Sequence, residues 1–101
     1  MNIPNKVKVG GAIYTVEQSD NILAEDTQQC KGLVNHDMHI INICTSVQDV
    51  QGCEQTFLHE LVHAIVNDHG IEFNCSNDES ITEELAKGLH QVIIDNPDIF
   101  R

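Results

Sequence analysis

The chain is expected to fold as a small α+β domain, in which a small, mostly antiparallel sheet of two hairpins precedes a motif helix and a second helix. Three observations predict it. Alternating apolar and polar residues fill the first half, around a Gly-Gly pair and an Asn-His-Asp triplet. Apolar residues at helical spacing then occupy an unbroken stretch between Cys53 and His69 that contains neither Pro nor Gly. A further helical pattern follows two capping signatures and is stopped by Asn96-Pro97.

Taken in order, Val7, Val9, Ile13, Tyr14 and Val16 flank Gly10-Gly11, which supplies the positive φ of a tight turn, and so predict a first hairpin. Residues 17–31 are polar, with only Ile22, Leu23 and Ala24 to bury, and read as a loop containing one helical turn. From Gly32 to Cys44 a second hairpin is expected, with Leu33-Val34 and Ile40-Ile41-Asn42-Ile43 on either side of Asn35-His36-Asp37. His36 and His39 fall at that turn and are expected to be exposed. Thr45 or Ser46 is placed to cap the next helix, whose regular part begins near Cys53, after Gly52, and ends near Asp68, with Gly70 as a left-handed C-terminal cap. Ser76-Asn77-Asp78-Glu79 and Ser80-Ile81-Thr82-Glu83 both have the Ser-x-x-Glu form of a capping box, and the second helix runs from there to about Asp95.

With 101 residues the chain is read as one domain, residues 1–101, with one modest core. Asp and Glu outnumber Lys and Arg 16 to 5, giving a formal charge of −11, and no basic cluster occurs. Neutralising phosphates dominates affinity for nucleic acid, so DNA and RNA are excluded as expected partners. No stretch reaches the roughly 20 apolar residues of a membrane span, and Met1-Asn2-Ile3-Pro4-Asn5-Lys6 lacks the apolar core of a signal peptide, so the expectation is a cytoplasmic protein with no membrane partner. Cys30, Cys44, Cys53 and Cys75 form no Cys-x-x-Cys pair and read as small core residues in a reducing compartment.

The stretch that carries chemistry is Thr56-Phe57-Leu58-His59-Glu60-Leu61-Val62-His63-Ala64-Ile65. Two histidines at i and i+4 stand one above the other on a helix, so both rings can reach one metal ion. Glu60 is turned by about 100°, too far to be a comfortable ligand but close enough to touch a water at the metal. Thr56, His59, His63 and Asn67 form a narrow polar strip, while Phe57, Leu58, Leu61, Val62, Ala64 and Ile65 cover most of the remaining surface.

A zinc ion that does chemistry takes three protein ligands and leaves one position open, so a third ligand is needed. His69, Glu83 and Glu84 compete. If the helix continues to Asp68, His69 lies about 15 Å along the axis from His59, and Val66 stands where a chain doubling back would need Gly. On the second helix Glu84 shares a face with Gly88, Gln91 and Asp95, whereas Glu83 shares one with Ala86, His90 and Ile94, bordered by Leu89 and Ile93. Glu83 is therefore the expected ligand. His90, two turns along the same face, is a candidate donor to the oxyanion of a tetrahedral intermediate.

These residues resemble the gluzincins, zinc peptidases that carry His-Glu-x-x-His on one helix and a Glu ligand on a following one. The separation from His63 to Glu83 is similar to that of thermolysin-like enzymes, and Glu83-Glu84-Leu85-Ala86 resembles the Glu-x-x-Ala stretch of ImmA/IrrE-type metallopeptidases. The small size is similar to that of minigluzincins and short phage-encoded relatives. The likeness spans roughly Thr56 to Pro97, and Lys87 stands where the ImmA/IrrE pattern often has Asn. It implies a zinc metallopeptidase with one Zn²⁺ per chain held by His59, His63 and Glu83, Glu60 as general base, a protein or peptide substrate such as a regulatory repressor, and encoding by a phage or other mobile element. Two other expectations compete: a catalytically silent, zinc-stabilised protein-binding module, and a zinc nuclease built on the triad His59, His63 and His69.

Overall fold

A computed structural model describes residues 1–20, 30–72 and 78–98 of the chain. Gly10, at φ 60°, turns strand β1 (Lys6–Val9) into β2 (Ala12–Ser19), as the Gly-Gly pair predicts. The two strands pair antiparallel with Val7 opposite Tyr14. A second antiparallel pair joins β3 (Gly32–Asn35) to β4 (Ile40–Cys44), with Val34 opposite Ile41. Its turn is held by Asn35, whose Oδ1 accepts from the backbone of Asp37 at 3.0 Å and of Met38 at 2.9 Å.

The expected mostly antiparallel sheet is corrected to a mixed one. The strand order is β1-β2-β4-β3, and the two antiparallel pairs are joined through β2 and β4, which run parallel with Thr15 opposite Ile40 and Ser19 opposite Cys44. This pairing takes up Glu17, Gln18 and Ser19, which sequence reading assigns to a loop: their side chains are exposed, but their backbone groups have a partner strand. The rest of that stretch, residues 21–29, lies outside the described residues. Among the described residues β3 is an edge, hydrogen-bonded to β4 alone.

Helix α1 (Val50–His69) begins three residues before Cys53 and is capped by Asp49, not by Thr45 or Ser46. The Asp49 carboxylate accepts from Gly52 N at 2.8 Å, so Gly52 lies in the first turn instead of ahead of it. At the other end Gly70 adopts φ 61° and caps Val66 and Asn67, as expected. Helix α2 (Asp78–Asp95) packs across α1. Ser80 and Glu83 are inside this helix, so the second Ser-x-x-Glu does not cap it; Ser76 lies outside the described residues.

Ile41 and Ile43 of the central strand β4 are fully buried and meet Tyr14, Val16, Phe57, Leu58, Ala64 and Ala86 in the core. From Cys53 to Glu60 α1 is buried almost all round, whereas its first two residues, Ile65 and the residues beyond Val66 reach solvent. No disulfide joins Cys30, Cys44 and Cys53. Among the described residues no helix is long and apolar enough to cross a membrane.

Candidate metal centre

Thr56, His59, Glu60 and His63 occupy an arc of about 100° on α1, because residues four apart share a face and Glu60 borders it. Gln48, just ahead of the helix, fixes this face against the sheet. Its Nε2 donates to Cys44 O at 2.6 Å and to Lys31 O at 3.1 Å, and its Oε1 accepts from Thr56 Oγ1 at 2.7 Å. Gly32, at the start of β3, makes the contact close: a Cβ there would stand 2.5 Å from Thr56 Cγ2 and 3.3 Å from Glu60 Oε2. Edge strand and motif helix therefore form two walls of a cavity of about 660 Å³. The first turns of α2 supply the third wall with Glu79 and Glu83.

Both of these carboxylates reach His59, from opposite sides of its ring. Glu83 Oε2 lies 2.6 Å from Nδ1, and Glu79 Oε1 lies 2.5 Å from Nε2. Glu79 also reaches His63, with Oε2 3.0 Å from Nε2, and the two Nε2 atoms are 3.2 Å apart. Ligands at about 2.0–2.1 Å from a tetrahedral zinc stand about 3.4 Å from one another. The separations of 3.2 and 3.0 Å are close to that value, and the 2.5 Å between His59 and Glu79 is shorter by about 0.9 Å. His59, His63 and Glu79 thus form a group that could hold a metal ion.

The sequence reading expects Glu83 among the ligands; the group that could hold a metal contains Glu79, and Glu83 lies on the other ring nitrogen of His59. An acid on Nδ1 holds the proton there and presents the Nε2 lone pair to the metal side, the usual support for a histidine ligand. Lys87 leans on the same acid, with Nζ 3.9 Å from Glu83 Oε1. Glu79 precedes Glu83 by one turn of α2, so the helical face that singles out Glu83 includes Glu79 as well. That i, i+4 relation was the signal that could have found it; the capping-box pattern gave Glu79 another use.

Glu60 is buried beside this group and lines the cavity. Burial pushes its carboxyl up to about 7; the His59 imidazole pulls against that, and Glu79 and Glu83 add to it. Burial also holds His63 below its ordinary value, against the pull of Glu79, which favours the neutral imidazole that binds metals.

His90 is not brought to the centre. Its ring is 2% exposed, does not line the cavity, and meets Glu54 Oε1 from Nε2 at 2.7 Å, fastening α2 to α1 elsewhere. The geometry thus lends no support to the oxyanion-donor role expected for it, and the ring clasps the two helices. His69 ends α1 with its side chain 67% exposed, 3.8 Å from Asp68, and takes no part in the group. Glu84 points to solvent and pairs with Lys87 at 3.6 Å. His36 is half-buried, with Nδ1 3.4 Å from Tyr14 Oη, while His39 is exposed and sets its ring edge-on to Tyr14. Compared with known families, curated proteins and solved structures, the chain gives no match.

Proposed function

We propose that this chain is a zinc-dependent metallopeptidase of gluzincin type, with His59, His63 and Glu79 as the metal ligands and Glu60 as general base. The observation that carries this reading is the convergence of two imidazoles from α1 and a carboxylate from α2 at ligand-to-ligand separations of 2.5–3.2 Å, with Glu60 alongside. A nitrogen-rich, carboxylate-completed set suits zinc better than calcium or magnesium, which prefer oxygen alone.

A bound zinc would supply Lewis acidity to the scissile carbonyl and to a water. Glu60 takes the proton of the attacking water and passes it to the leaving amine. Its place beside the metal group, lining the same cavity, suits both halves of that task. Glu83 keeps His59 in the metal-binding tautomer and orientation. Among the described residues the outer edge of β3 pairs with no strand, and Gly32 sets it close to Thr56 and Glu60, an arrangement that suits an extended peptide adding to the sheet alongside the cavity.

A zinc-stabilised binding module is the second reading, supported by the way the same three side chains tie α1 to α2. Glu60→Gln separates the two. On the peptidase reading it keeps one zinc per chain and lowers peptide hydrolysis by about 10²–10⁴-fold, the range of a lost general base. Wild-type protein that holds one zinc and cleaves nothing in a broad peptide library supports the module instead.

A further inference from the structure

The metal centre stands between two hollows, and the smaller one takes no part in the chemistry assigned above. It measures about 370 Å³ and lies beyond His63, where α1 ends. Val66, Asn67, Ile71 and Glu72 line it from the end of α1, and His36 lines it from the turn that follows β3. Gly32 opens the large cavity at one end of β3 and His36 faces the small one just past the other end. A peptide lying along that edge and crossing the metal would set a side chain into the smaller hollow.

Its lining is amphipathic. Val66 and Ile71 offer apolar surface, and Asn67 and Glu72 offer an amide and a carboxylate. Lys and Arg side chains have matching anatomy, an aliphatic stem with a charged end. The local field has the matching sign too. Counting histidine as neutral, Glu72 carries the one formal charge among the described residues of the lining. The negative end of the α1 dipole lies here as well, at the turn where Gly70 N donates to Asn67 O and Ile71 N to Val66 O. Next door, Glu79 and Glu83 offset the two charges of a divalent ion.

We infer that the hollow between His63 and Glu72 is a substrate subsite that selects Lys or Arg in the cleaved chain. This rests on the peptidase reading. The test uses the full chain loaded with one equivalent of zinc and quenched fluorogenic peptides in which each position in turn is Lys, Arg, norleucine or Glu. One position on one side of the cut favours Lys and Arg over norleucine by about fivefold, the scale of an exposed ion pair, and disfavours Glu. Glu72→Gln brings Lys and norleucine to within about twofold of each other, and Glu72→Lys shifts the preference to Glu. Cleavage without a basic preference, or a preference that survives both variants, overturns the subsite.

Binding distinguishes this failure from failure of the peptidase reading. If zinc-loaded protein cleaves nothing but binds the Lys peptides about fivefold tighter than norleucine peptides, and Glu72→Gln removes the difference, the subsite stands and the peptidase does not. Equal binding of the two peptides overturns the subsite.

Discussion

Two histidine–glutamate contacts join α1 to α2, and they differ in everything except residue type. At one, His90 and Glu54 are buried and meet through one short hydrogen bond of 2.7 Å, with the Met1 ammonium 3.5 Å from the other Glu54 oxygen. At the other, His59 and His63 share Glu79, Glu83 backs His59, and the group opens on a cavity of about 660 Å³. The closed pair has no room for another atom between its partners. The open one has several donor atoms aimed at a common point and space beside it. Convergence and access, not the presence of an imidazole next to a carboxylate, are what mark a site able to bind and react.

If this contrast holds, the closed pair is about stability. Glu54→Ala leaves the buried His90 ring without its hydrogen-bond partner and is expected to cost about 1–3 kcal/mol in urea denaturation, while the zinc dissociation constant of protein that remains folded changes little. A loss below about 1 kcal/mol, with weakened zinc binding, would break the comparison.

The open group should instead carry a pH signature. The Glu60 carboxyl is raised from 4.5 to about 7 in the folded chain, so its contribution to stability is fully present below pH 4.5 and disappears as the pH rises through 7. Without metal, the protein should be less stable at pH 8 than at pH 5 by about 2–3 kcal/mol from this group. Glu60→Gln mimics the protonated acid and should remove that slope. Parallel denaturation curves for parent and variant across this range would show that Glu60 is not desolvated as described.

Glu83→Gln sharpens the assignment within the open group. The amide still contacts His59 but no longer fixes its proton with a charge, so zinc affinity should fall about 10- to 100-fold with the stoichiometry kept at one, read by competition with a chromophoric chelator. The smallest effect is expected where α1 is capped. Asp49→Ala should cost about 1 kcal/mol of stability without altering zinc affinity, because the cap serves the whole helix and neither contact in particular.

The local part of this fold is legible in the residues. Gly10-Gly11 and Asn35-His36-Asp37 mark their turns because tight turns demand particular backbone angles, and Gly70 marks a helix end for the same reason. The parallel pairing of β2 with β4 is not legible, since it depends on contacts between distant segments and enlists Glu17, Gln18 and Ser19, whose side chains say loop. The site divides in the same way. His59, Glu60 and His63 are set by the period of one helix and are found together. The partner from α2 depends on how far one helix slides along the other. A shift of one turn exchanges Glu79 for Glu83 without changing the face, so periodicity selects the face and leaves the turn open. His90 lies on that face as well, too far along α2 to reach the cavity, and Glu54 takes it instead.

The identity of the acid that completes the metal group is the most exposed part of this account, and zinc titration of Glu79→Ala beside the parent chain addresses it directly. The parent should bind one zinc, and the variant should lose more affinity than the roughly 10- to 100-fold that a supporting hydrogen bond is worth. A variant that binds zinc as tightly as the parent would contradict the account.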